Sequence, residues 1–151
     1  MTNRLAQTLM LGALAMTFTA APAADLNPGA VAYTLPDNIQ WKDNAAGTNA
    51  SALLYGDPAK PGPYAMLLKW KPGNMSRPHF HPNDRFFMVL KGTWWVGTGT
   101  KFDPDGTVPM PAGSYVVHYA KGIHYDGAKG EETIISLHGM GPATSTPAEQ
   151  K

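Results

Sequence analysis

Glycine and proline punctuate this chain too densely for a helical fold. There are 16 Gly and 14 Pro in 151 residues, spread as turn formers and not as a repeat. Beyond the first two dozen residues, the apolar side chains between these breaks never keep helical spacing for three turns. Short strands fit there instead. Residues 64–71 (YAMLLKWK) alternate, with Met66, Leu68 and Trp70 on one side and Lys69 and Lys71 on the other, the period of a half-buried strand. Further strands are expected at residues 30–35, 51–55, 85–90, 93–96, 114–119 and 132–137. So many short strands must close on one another as a sandwich or barrel to hide their edges, so the fold class is all-β.

Residues 1–23 read as an export signal: Arg4 in a short polar start, an apolar run from Leu9 to Ala20, then Ala21-Pro22-Ala23 as an A-x-A cleavage site. The run is interrupted by Gly12, Thr17 and Thr19 and is short for a membrane span. Cleavage after Ala23 leaves a chain sized for one domain, expected over residues 24–142. Residues 143–151 carry no apolar face and are expected to be a disordered tail. The expected location is the periplasm or the exterior, with no membrane association after cleavage.

Twelve basic residues stand against 11 acidic ones with no basic stripe, which argues against a nucleic-acid partner and for a small-molecule one. The chain has no cysteine, which excludes disulfides, thiolate ligands, a cysteine nucleophile and a lipoprotein anchor. Any metal must therefore be held through nitrogen or oxygen, with a methionine sulfur as a remote option.

All five histidines, at 79, 81, 118, 124 and 138, lie in the second half of the chain. Residues i and i+2 on a strand face the same way, so His79 and His81 offer two imidazoles to one point. A third ligand is expected from His124, which follows the turn-forming Lys121-Gly122. Three neutral nitrogens leave open positions on a metal, the arrangement of a catalytic site and not of a closed structural one.

The spacing resembles the cupin superfamily. Its first motif, G-x5-H-x-H-x3-4-E-x6-G, is met by Gly73, His79, His81 and Gly92, and its second, G-x5-P-x-G-x2-H-x3-N, by Gly113 and His124. Within the second motif Tyr119 stands where proline is usual, Lys121 where glycine is usual, and Ala128 where asparagine is usual. Segments from Leu54 to Pro142, such as GTWWVGTGTKFD and ETIISLHGMGP, also resemble small exported single-domain cupins of largely unassigned function. The resemblance implies a jelly-roll β-barrel (a double-stranded β-helix), usually dimeric, with a metal in the barrel mouth.

The cupin glutamate falls on Arg85, which shares the strand parity of the two histidines. A guanidinium neither ligates a metal nor deprotonates there, and it repels a divalent ion. One resolution is a three-histidine metal centre in which Arg85 holds an anionic substrate group or an oxygen-derived ligand by bidentate hydrogen bonds. This resembles cupins that lack the glutamate and still bind metal, the thiol dioxygenases among them. A second resolution is a metal-free anion pocket or structural network. A third is a bulge that turns Asp84 inward as the carboxylate.

His118, an even step from His124, is either a fourth ligand, a donor behind the ligands, or a packed strand histidine. Trp94 and Trp95 must face opposite ways, one toward the interior and one toward solvent or a partner. The segment 86–90 is apolar on both faces, which suggests a homodimer interface. The expected function is that of an exported metal-dependent oxidoreductase on a small organic or carbohydrate substrate. His79, His81 and His124 are the expected ligands of one divalent transition metal (Cu, Fe, Zn or Ni), and Arg85 the residue that steers the substrate. The alternatives are a non-catalytic protein that captures a metal or small anion, and a metal-dependent isomerase or lyase.

Overall fold

The computed structural model describes residues 25–150; the expected signal segment 1–23 lies outside them. The chain divides into two units, Met1–Tyr33 and Thr34–Lys151. In the described part of the first, a turn is closed by the Ala30 and Val31 amides donating to the Asn27 carbonyl.

The second unit carries a short 3-10 turn, Pro36–Asn38, and the strands β1 (Lys42–Asp43), β2 (Asn49–Tyr55), β3 (Gly62–Trp70), β4 (His79–Phe80), β5 (Arg85–Lys91), β6 (Thr93–Thr98), β7 (Val108–Pro111), β8 (Tyr115–His118), β9 (His124–Gly127), β10 (Thr133–Gly141) and β11 (Thr146–Pro147). They form a six-stranded sheet in the order β1-β2-β3-β10-β5-β8 and a five-stranded sheet in the order β11-β4-β9-β6-β7. Every pairing is antiparallel.

The inner faces of the two sheets meet in one apolar core. Tyr64, Trp70, Phe87, Val89, Ile135 and Leu137 from the larger sheet pack with Trp94 and Val96 from the smaller. Burying each large apolar side chain contributes about 1.5–3 kcal/mol. Phe87 and Trp94 pack ring against ring, 4.9 Å between centroids. As the alternation requires, Trp94 is fully buried while Trp95 is half-buried on the other face, with the Lys129 ammonium 4.0 Å above its ring. Gly97 carries a close approach: a Cβ there would lie 2.3 Å from the Tyr125 ring. With that ring laid over β6 and its hydroxyl donating to the Asp103 carbonyl (3.1 Å), the flanking His124 and Asp126 face the opposite way, into the interior.

Two expectations are corrected. Residues 30–35 form no strand, because alternation supplies no partner and Pro36 opens the 3-10 turn. The segment expected to be a disordered tail over 143–151 instead forms β11, paired with β4. The Ala148 amide then donates to the Pro78 carbonyl and the Gln150 amide to the Thr100 carbonyl. This docking runs largely through backbone groups, so it needs no apolar face.

Candidate metal centre

Two strands of the smaller sheet bring the histidines together. His79 on β4 pairs directly with His124 on β9, and His81 follows His79 by two residues. Ring centroids are 4.8 Å apart for His79 and His81, 4.5 Å for His79 and His124, and 5.4 Å for His81 and His124. One nitrogen from each lies within 4.8 Å of the others, so these three residues could hold a metal ion.

Their hydrogen bonds set the tautomers. Nδ1 of His79 meets the Arg77 carbonyl at 2.8 Å, Nδ1 of His81 the Thr144 carbonyl at 2.8 Å, and Nδ1 of His124 the Gly122 carbonyl at 2.9 Å. A carbonyl oxygen only accepts, so each Nδ1 carries the proton and each Nε2 is an acceptor. Backbone carbonyls behind ligating imidazoles commonly orient them in this way. His124 Nε2 is buried and without a hydrogen-bond partner among the described residues, so the donor set fits a transition metal.

The turn before His124 explains one departure from the cupin motif. Lys121, at the usual glycine position, adopts the left-handed φ of 62°. Its amide donates to the His81 carbonyl at 2.7 Å. The backbone shape survives with a residue that bears its steric cost. Asp84 does not enter the site: its carboxylate accepts the Ala120 amide at 2.7 Å and holds the same turn. The bulge that would have turned it inward is absent.

Arg85, the first residue of β5, lines the same cavity as His79 and His81, a space of about 380 Å³ walled by Leu68, Trp70 and Phe87. A guanidinium nitrogen of Arg85, Nη1, donates to Nε2 of His81. Burial pulls the guanidinium below its usual range, opposed by the neighbouring Tyr64 and Asp126. Burial, then Arg85, pushes the His81 imidazole down to about 3. His124 is lowered too, mainly by burial, against the pull of Asp126. Both therefore stay neutral, as metal ligation requires.

His118 on β8 pairs with Arg85 and reaches across to the smaller sheet, its ring 3.8 Å from His124. It stacks on Trp94 at 5.3 Å and packs against Phe87 at 4.6 Å. Asp126, which the sequence reading missed, belongs to the same cluster. It is buried, lines the cavity and accepts the Trp94 indole N–H at 3.2 Å. The signal was present as His124-x-Asp126, which repeats the parity of His79-x-His81. His138 lies apart, on an exposed stretch of β10.

Solved structures with the same architecture include KdgF from Halomonas sp. (16% identity, TM-score 0.57, covering 74% of this chain and 94% of that one). They also include the polyketide cyclase RemF from Streptomyces resistomycificus (12%, 0.65, 80% and 87%). A third is an uncharacterized conserved protein with a double-stranded β-helix domain from Klebsiella pneumoniae (16%, 0.58, 79% and 97%). At these identities the likeness establishes the fold, a mostly β, double-stranded β-helix-like topology. No curated protein matches the chain. The family model described as "ChrR Cupin-like domain" matches residues 30–144. With that match over most of its length, the chain belongs to the ChrR cupin-like family, within the cupin superfamily.

Proposed function

We propose that this protein is an exported, metal-dependent oxidoreductase acting on a small organic molecule, with one divalent transition metal held by His79, His81 and His124. The observation that carries the reading is the shared tautomer. Each of the three imidazoles ties Nδ1 to a backbone carbonyl, which leaves every Nε2 an acceptor, the one on His81 taken by Arg85, and one ring nitrogen of each lies within 4.8 Å of the others. Imidazole ligation suits Cu, Fe, Zn or Ni. Bound there, such an ion supplies Lewis acidity and, for Cu or Fe, electron transfer.

The chain's own residues account for the rest. Leu68, Trp70 and Phe87 wall the cavity with apolar surface that takes a small organic body and excludes water. Arg85 turns from His81 to an anionic group of the substrate, such as a carboxylate or enolate, and orients it by a bidentate pair. Export to the cell envelope rests on residues 1–23, closure into a jelly-roll barrel on the family, and a homodimer on the apolar outer face of β5. Among the described residues no helix is long and apolar enough to cross a membrane.

The contact of Arg85 with His81 favours a second reading, a binding protein that captures a small anion without turnover. The test is elemental analysis of protein purified without added metal, beside a His79→Ala, His124→Ala variant, with oxygen consumption followed on candidate carboxylates and enols. A stoichiometric redox metal lost in the variant supports the oxidoreductase. Equal traces of metal in both preparations end it, and tight anion uptake without turnover selects the second reading.

A further inference from the structure

Both ring nitrogens of His118 are buried and without a hydrogen-bond partner among the described residues, and so is Nε2 of His124. A neutral imidazole carries one donor and one acceptor, and leaving both unmet in the interior is costly. His118 is only 7% exposed, so bulk solvent does not reach these nitrogens.

Three groups from opposite sheets converge there: His118 from β8, and His124 and Asp126 from β9. One donor atom from each lies within 4.8 Å of the others. Asp126 uses Oδ1 to accept the Trp94 N–H, which fixes the carboxylate and leaves Oδ2 available. Two nitrogens and a carboxylate oxygen form a set that suits Zn, Fe, Co, Ni or Cu. A cavity of about 150 Å³, lined by Val96, Val116 and Ile123, reaches His118 and His124.

We propose that His118, His124 and Asp126 form an inner coordination position for a divalent transition metal. It is distinct from the outer set of His79, His81 and His124 and shares only His124 with it. This rests on the metal dependence proposed above, not on its outer ligand set, and moves the metal from that set to the inner one. With Nδ1 of His124 committed to the Gly122 carbonyl, its single remaining lone pair serves one ion at a time, so the two positions are alternatives for one metal. Two observations favour the inner one. Arg85 already occupies Nε2 of His81, which removes one outer ligand. The inner set also includes a carboxylate, which offsets the positive charge of Arg85, whereas the outer set is neutral. The carboxylate that cupins usually carry on β5 is thereby supplied from β9.

Cobalt(II) titration of the metal-free protein tests this, with affinity read by chelator competition and coordination by the visible d–d spectrum. Asp126→Asn keeps the acceptor for Trp94, and His118→Phe keeps a ring between Phe87 and Trp94; thermal melts check that both fold. The expected result is one equivalent of cobalt in the wild type, binding weakened at least tenfold with an altered spectrum in both variants, and one equivalent retained in His81→Ala. Wild-type affinity and spectrum in Asp126→Asn and His118→Phe, or loss of cobalt in His81→Ala, overturns the inner position and leaves the outer one standing. A wild type that binds no cobalt overturns both.

Discussion

Arg85 donates to the one lone pair of His81 that faces the other histidines, so an arginine side chain occupies the space that a ligand nitrogen would turn to a metal. The contact makes the guanidinium a competitor of the ion at His81 as well as a repelling charge. Arg85→Glu places a carboxylate at the cupin glutamate position and frees His81 in one step. Binding of Zn(II) or Co(II) is expected to tighten at least tenfold, about 1.4 kcal/mol. Arg85→Gln, which removes the charge alone, is expected to give a smaller gain. Chelator competition measures both, and unchanged affinity in Arg85→Glu would show that the guanidinium does not oppose the ion.

Acid should destabilise the metal-free protein beginning near the ordinary histidine pKa. In the folded state burial holds His81 down to about 3 and His118 down to about 2, and lowers His124. In the unfolded chain each titrates near about 6.5. Below that pH the unfolded state binds more protons than the folded one, so stability falls as pH drops and is flat above it for these groups. Urea midpoints with chelator present should decline from pH 7 to pH 5. His118→Phe should flatten the decline, and an equal slope in wild type and variant would remove His118 from the account.

Lys121 bears a left-handed backbone at φ 62°, a conformation that costs a side chain about 1–2 kcal/mol. Glycine lifts that cost but adds unfolded-state entropy of about 0.5–1 kcal/mol. Lys121→Gly is therefore expected to raise stability by about 0.5–1 kcal/mol, while Lys121→Val, whose branched Cβ tolerates the region least, should lower it. A urea titration of both variants checks the pair of signs.

How much of this was legible in the sequence follows from which interactions leave a side-chain pattern. His79, His81 and Arg85 share a parity, and that parity alone put them in one cavity. His124 was reached through spacing and the turn ahead of it. Asp126 has the same parity as His124, but the cupin motif puts its carboxylate at position 85, beside Asp84, and gives no weight to one that follows the last histidine by two residues. Residues 30–35 carry a strand's composition, yet pairing depends on a partner edge that composition does not report. The tail misled in the opposite direction, since the amides of Ala148 and Gln150 dock by hydrogen bonds that any residue but proline can make.

The outer face of β5 presents Phe86, Met88 and Leu90 at 39%, 38% and 51% exposure, beside the exposed Tyr115 of β8, which pairs with Met88. An apolar stripe of this kind is what a second copy of the chain would cover. Light scattering is expected to return a dimer, and Phe86→Glu with Leu90→Lys a folded monomer. A monomeric wild type at tens of micromolar would end the dimer.

The C-terminal strand should matter to the site as well as to the fold, because the Thr144 carbonyl holds the Nδ1 proton of His81. Arg77 pairs with Glu149, Nε donating to a carboxylate oxygen at 2.9 Å, and its guanidinium lies 3.9 Å over the Phe102 ring. Ser145 and Pro147 line the cavity beside the histidines. Deleting residues 144–151 removes the carbonyl, β11 and the Arg77 pair together, so His81 loses its fixed tautomer and ring orientation. Loss of such a supporting group typically weakens metal binding about 10–100-fold. Glu149→Gln, which disturbs only an exposed ion pair, should change little. With the metal in the inner position, which does not use His81, the deletion is expected to leave cobalt affinity within about twofold of wild type while lowering the melting temperature, and the larger loss would return the metal to the set that includes His81.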